Sequence, residues 1–250
     1  MRIQIISFFF FLVSLGCVGQ ENCIKSYGGI IRMDTTKKEI YLVFTGGDFG
    51  EGLDTIQRTL EIENVRASFF FTGDFYRNSK YTSGIHSLIR SDHYLGAHSD
   101  KHLLYAAWEN RDSLLVSREE FVEDIRMNYR VMKDFGIEKD QASFFMPPYE
   151  WYNDSISLWT SKEGLKLINF SPGTRSNADY TTPDMDERYV DSETIIQSIL
   201  NFESQSSNGL NGFILLLHTG TDSKRSDKFY FRLQELIQKL KNRGYKFRRL

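Results

Sequence analysis

Ile40-Tyr41-Leu42-Val43-Phe44-Thr45-Gly46-Gly47 opens the part of the chain that decides its fold. Ile40 to Phe44 is a short, β-rich apolar run, the mark of a buried strand. Thr45 to Phe49 form the loop at its end, and an amphipathic segment from Leu53 to Glu63 leads into a second apolar run, Ala67 to Phe71. The same succession recurs along the chain. Further strands are expected at Tyr94 to Ala97, Ala142 to Met146, Leu165 to Phe170, Phe213 to Leu217 and Tyr245 to Phe247, which makes seven. The clearest helix runs from Ser117 to about Phe135, with Phe121, Ile125, Tyr129 and Met132 on one face and capping-box spacing between Ser117 and Glu120. Another spans about Lys228 to Asn242 and stops at Gly244. Weaker helical patterns fit Ile85 to Arg90, Asp154 to Lys162 and Glu193 to Phe202. Such alternation implies parallel strands joined by right-handed crossovers, in an open doubly wound sheet or a closed barrel. Periodicity does not choose between the two.

A chain of 250 residues, 40% hydrophobic and 14% aromatic, buries one substantial core, which implies a single domain. With 31 basic against 33 acidic residues it carries no cationic field of the kind that draws proteins to nucleic acid or anionic lipid. A neutral partner such as a glycan fits better. Arg2 precedes an apolar run from Ile3 to Leu15, with small residues Gly16, Cys17 and Gly19 behind it, which reads as an export signal. The run is too short to span a bilayer, which takes about 20 apolar residues. Cleavage after Gly19 and cleavage before Cys17, with lipid on Cys17, are both compatible with the leader. The mature protein is expected in the periplasm or cell envelope, its domain covering residues 36–250. Cys23 alone is certain to remain, which excludes a disulfide framework.

In folds of this type functional residues gather at the C-terminal ends of the strands. His98 and His102, in Gly96-Ala97-His98-Ser99-Asp100-Lys101-His102, follow the third strand four residues apart, and one helical turn aims both rings at one point. That suits two nitrogen ligands of a divalent metal such as Zn²⁺. Leu215-Leu216-Leu217-His218 drives a histidine off the end of an apolar strand, where it is suited to act as a general acid. His86 and His93 lack such placement and read as surface residues.

Taken in order, these segments resemble the polysaccharide deacetylases (NodB-homology domain, carbohydrate esterase family 4). Ile40 to Gly47 aligns with the first motif of that family and Arg66 to Gly73 with its second strand. His98-Ser99-Asp100-Lys101-His102 matches H-S/T-x-x-H, Met146-Pro147-Pro148-Tyr149 matches R-x-P-Y/G, and Leu217-His218 falls in the last L-x-H motif. The resemblance implies a distorted (β/α)7 barrel and a divalent metal of the zinc kind, held by two histidines and an aspartate. It also implies hydrolysis of acetyl groups on glycans, with the oxyanion held by the Tyr149 N–H. Trp151 and Tyr152 would offer flat faces to sugar rings, and Arg175 or Asp179 would orient the base or bind sugar hydroxyls.

The first motif departs from the family. Where T-F-D-D-G supplies a base and a metal ligand, this chain has Thr45 and Gly46, neither of which serves. The arginine that pairs with the lost base is Met146, a consistent second change, since a buried guanidinium would otherwise stand unpaired. Asp48, two residues on in a glycine-rich loop, is the expected replacement as third ligand or as base, with Glu51 and Glu150 in reserve. A carbohydrate-binding protein that has lost turnover, and an esterase acting on O-acetyl groups, are the competing readings.

Overall fold

The computed structural model describes residues 22–250, so the expected export leader, with Cys17 and Gly19, lies outside the described residues. Among the described residues nine strands form one curled sheet: β1 (Ile24–Ser26), β2 (Gly29–Arg32), β3 (Glu39–Gly46), β4 (Ser68–Phe71), β5 (Tyr94–Ala97), β6 (Phe144–Phe145), β7 (Lys166–Leu167), β8 (Phe213–His218) and β9 (Lys246–Arg248). Their order is β1-β2-β8-β3-β4-β5-β6-β7, with β9 beside the start of β3. Strands β3 to β9 pair with one another in parallel, as the alternation requires. The antiparallel pairings are those of the β1-β2 hairpin, within itself and onto β8. A parallel bridge between Ile30 and Ile168 draws the two ends of the sheet together. The architecture is thus the distorted (β/α) barrel that the motifs imply, in place of the open sheet.

Seven helices among the described residues cover the strands: α1 (Leu53–Ile62), α2 (Gly73–Arg77), α3 (Thr82–Arg90), α4 (Arg118–Asp134), α5 (Asp154–Lys162), α6 (Ser192–Gln205) and α7 (Leu233–Asn242). At the start of α4 the Ser117 hydroxyl accepts the Glu120 N–H while the Glu120 carboxylate accepts the Ser117 N–H. Gly244 ends α7 in the left-handed region at φ +85°, which a residue without Cβ adopts freely. Among the described residues no helix is long and apolar enough to cross a membrane.

Alternation along the strands sorts the core into two layers. Leu42, Phe44, Phe69, Phe71, Leu215 and Leu217 face the helices. Val43, Phe70, Tyr94, Met146, Ile168, Ile214 and Leu216 fill the barrel interior. Met146 therefore sits in an apolar filling, where a guanidinium would find no partner. The same period carries Thr45, two residues beyond Val43, and His218, two beyond Leu216, to the inner mouth of the barrel.

The sequence-based expectation is corrected at several points: the strands at Phe144–Phe145 and Lys166–Leu167 are shorter than expected, α7 begins only at Leu233, and His98 and His102 are joined by an irregular loop, with Ser99 and His102 at positive φ, in place of a helical turn. The β1-β2 hairpin has no counterpart among the expected strands; it turns at Tyr27 and Gly28, both at positive φ, the pairing a tight hairpin needs. His93 is buried rather than on the surface, and its Nδ1 accepts the Ala67 N–H at 3.1 Å. Burial, aided by the charge of Arg66, lowers its pKa to about 4. It is a strand-linking core residue without a local cue, because its neighbours Ser91 and Asp92 are exposed.

Candidate active site

A cleft of about 810 Å³ opens over the C-terminal mouth of the barrel. Thr45, Asp48, His98, His102, Glu150 and His218 line it, together with the aromatic run Tyr149, Trp151 and Tyr152. Three imidazoles distant in the chain thus share one space. His98 is buried at the end of β5, and its backbone N–H donates to the Asn128 side chain at 2.9 Å. Its Nδ1 lies 2.9 Å from the Met146 carbonyl, which only accepts, so Nδ1 carries the proton and Nε2 is left bare. Burial and neighbouring His102 hold the ring neutral, well below the ordinary histidine pKa. The His102 ring centroid is 5.1 Å from that of His98 and 4.4 Å from that of Tyr149.

His218 lines the same cleft from the end of β8. Asp179 takes its backbone N–H at 2.8 Å with one oxygen and its ring Nδ1 at 2.6 Å with the other. That pairing fixes the tautomer and leaves Nε2 for the cleft. Burial opposes charge on the ring, but Asp179, with Glu150 adding to it, raises the His218 pKa above the ordinary value. Asp179 is carried by the turn at Ser176–Tyr180, and the Tyr180 ring meets His218 edge-on at 5.2 Å.

At Gly46, where the resemblance leads one to expect a ligand, packing leaves no room for a side chain. A Cβ there would lie 2.6 Å from the Thr219 hydroxyl and 2.8 Å from the Phe71 ring, closer than real contacts allow. Phe71 is stacked on Phe75 at 4.2 Å in a close-packed core and has little room to move. At the other altered place, the Thr45 hydroxyl is buried and has no hydrogen-bond partner among the described residues, directly beside His218 in the strand register.

A firmly held divalent cation needs three or four protein or water donors in close geometry. His98 has the outer hydrogen bond typical of a metal-ligating histidine. A third donor is not in place: Gly46 admits no side chain, Asp48 is exposed, and among the described residues no three of His, Cys, Asp and Glu stand close enough together to hold a metal ion. Asp48 does act on His102, whose pKa is lowered by burial and raised in part by that carboxylate. The residues as they stand do not fit a firmly held metal.

The remaining expected residues divide. Tyr149 is 45% exposed, and Trp108, at 52%, meets its ring edge-on at 5.8 Å. Trp108 also packs on Trp151 at 5.4 Å, and the Arg111 guanidinium lies 4.0 Å over the Trp151 ring. Tyr152 is only 1% exposed and gives its hydroxyl to the Ser26 carbonyl, so it braces the wall and offers no open face to a sugar. Arg175 is exposed and lies outside the cleft lining. Glu51 is occupied by the Thr221 N–H and the Lys228 ammonium, both at 2.9 Å. Trp108, Arg111 and Tyr180 escape a reading of the sequence because they sit in loops with no period; Trp108 in an otherwise polar Trp108-Glu109-Asn110 stretch is the one available hint.

The polysaccharide deacetylase family model matches residues 32–168, more than half of the chain. A peptidoglycan-N-acetylglucosamine deacetylase of Bacillus cereus is 22% identical over 224 residues, covering 90% of this chain and 71% of that protein. Among solved structures, a CE4 family pseudoenzyme from Bacillus anthracis superposes with a TM-score of 0.67 at 19% identity, covering 89% of this chain and 67% of that one. A family 4 carbohydrate esterase of Bacillus subtilis gives 0.68 at 19% identity, covering 89% and 83%. At these identities the structural likeness speaks for the fold.

Proposed function

Since the chain belongs to the polysaccharide deacetylase family, we propose that it hydrolyses acetyl groups on a glycan lodged in the cleft, with His218 as proton donor. The observation that carries this reading is the double hydrogen bond to Asp179, which holds the imidazole with Nε2 free and favours its charged form. A positioned acid of this kind contributes about 10²- to 10⁴-fold to rate. His218 passes its Nε2 proton to the sugar nitrogen or oxygen as the acetyl group leaves.

The Tyr149 N–H follows two prolines and donates to no protein acceptor among the described residues, which suits it to take the developing oxyanion. One such donor is worth roughly 3 kcal/mol. Neutral His98, with His102 beside it, adds polarity where the carbonyl would lie. Exposed Trp108 and Tyr149 supply aromatic faces for sugar rings. A leader-like start and a relative named for peptidoglycan support a cell-envelope glycan as substrate.

The closed Gly46 position favours a second reading, in which the cleft binds acetylated glycan without turnover. Acetate release from acetylated chitin, peptidoglycan and xylan fragments separates the two. The first reading expects acetate from at least one of them, abolished by His218→Ala; binding of the same fragments without acetate supports the second.

A further inference from the structure

Resting on that reading, we propose that Glu150 is the general base of the cleft, doing from the fourth strand-end loop what Thr45 cannot do from the first. Its carboxylate takes a proton from water as the water oxygen bonds to the acetyl carbon. The C–N or C–O bond then breaks, the leaving atom takes the Nε2 proton of His218, and acetate departs. Glu150 returns its proton to solvent, from which His218 is recharged, so no other reactant is needed.

The cleft carboxylates narrow the choice. Asp74 pairs with Arg77 and Lys101, both at 2.6 Å. Asp222 accepts the Lys224 N–H at 2.9 Å within its own loop. Asp48 is exposed in a glycine-flanked loop, with no hydrogen bond among the described residues to fix its direction. Glu150, by contrast, is half-buried, lines the cleft, and has neither oxygen in a hydrogen bond or ion pair among the described residues. Its backbone is nevertheless clamped: its N–H donates to the Pro147 carbonyl at 3.1 Å and its carbonyl accepts the Asn169 side chain at 2.8 Å.

Tyr149 and Glu150 lie consecutively in the left-handed region, at φ +57° and +54°. Two neighbouring residues with side chains are strained there unless the surrounding structure holds them, a pattern that gathers at functional sites. The same kink places Tyr149 and Glu150 together in the lining of one cleft. Acid and base are thereby drawn from separate elements, His218 from β8 and Glu150 from the loop after β6. The charged groups acting on Glu150 are His218 and Asp179. Burial raises its carboxyl to about 7, moderated by His218 and reinforced by Asp179, which suits a base working near neutrality.

The test is acetate release by the purified protein and its Glu150→Gln and Glu150→Ala variants, measured from pH 5 to 9 on the fragment the wild type cleaves best. Glu150→Gln should lose about 100-fold or more in kcat with KM little changed and the acidic limb of the profile gone. Formate should restore part of the Glu150→Ala activity, an effect that a merely structural role would not show. Thermal melting verifies folding of both, and Gln forfeits no partner of the native carboxylate. A Glu150→Gln enzyme that keeps its rate, or loses rate while keeping the acidic limb, overturns the assignment and leaves the deacetylase reading intact. A wild type that releases no acetate from any fragment overturns both.

Discussion

Thr45 and His218 lie side by side in the register of β3 and β8, an orphaned buried hydroxyl next to the imidazole that Asp179 holds poised. On the proposed reading, the first of these positions cannot supply a base while the second supplies the acid. The residues around this pair each make a measurable contribution.

Gly46 is closed by packing. Gly46→Ala brings a methyl within 3 Å of the Thr219 hydroxyl and the Phe71 ring, both held in the core. Overpacking of this sort costs about 1–3 kcal/mol. Chemical denaturation should show that loss, and combining the change with Phe71→Ala should cost less than the two single changes added together. A Gly46→Ala protein as stable as wild type would contradict the packing account.

Asp179 sets the charge of His218. Without it, burial dominates the ring and its pKa falls. A general acid must be protonated to act, so the alkaline limb of the rate profile should move to lower pH in Asp179→Asn, with kcat down about 10²- to 10⁴-fold. An unmoved alkaline limb would show that His218 is not the proton donor.

Two histidine donors without a third hold zinc loosely. Dialysis against a chelator should leave the melting temperature unchanged, because a ligand that binds the native state weakly adds little stability at ordinary concentrations. Stoichiometric zinc surviving gel filtration, and lost in Asp48→Ala, would show that the Asp48 loop turns inward to complete the set.

His93 makes the fold acid-sensitive. Its folded pKa of about 4 lies below the ordinary 6.5, so the native state prefers the neutral ring. The stabilisation is fully present above pH 6.5 and is lost as pH falls toward 4, about 3 kcal/mol in all at roughly 1.36 kcal/mol per pH unit. Denaturation of wild type and His93→Gln at pH 7 and pH 4.5 should give a smaller drop for the variant. Equal drops would place the acid sensitivity elsewhere.

Strand-helix alternation locates the parallel strands and long helices because both obey a period: Tyr94–Ala97 and Asp154–Lys162 fall where periodicity puts them. The strands containing Phe144 and Leu167 are shorter than their apolar runs, since Pro147 and Pro148 end the first and only two ladder residues pair in the second. His98 and His218 are legible because a polar residue at the end of an apolar strand is conspicuous, His102 because it follows His98 by four residues, and the cleft brings all three together. Asp179 is visible only as one polar residue among several, because its role is set by a contact 39 positions away. Glu150 is legible in the sequence only as a reserve carboxylate behind Asp48, for the same reason. Asp48 is nearer along the chain, but backbone clamping and the left-handed kink single out Glu150, and neither has a local signature.

The most direct measurement is acetate released from acetylated glycan fragments by the purified protein, wild type against His218→Ala, both shown to be folded. Release by the wild type and its loss in the variant is the predicted result. No release by the wild type, or equal release by both, would contradict a cleft that works through the Asp179-held imidazole.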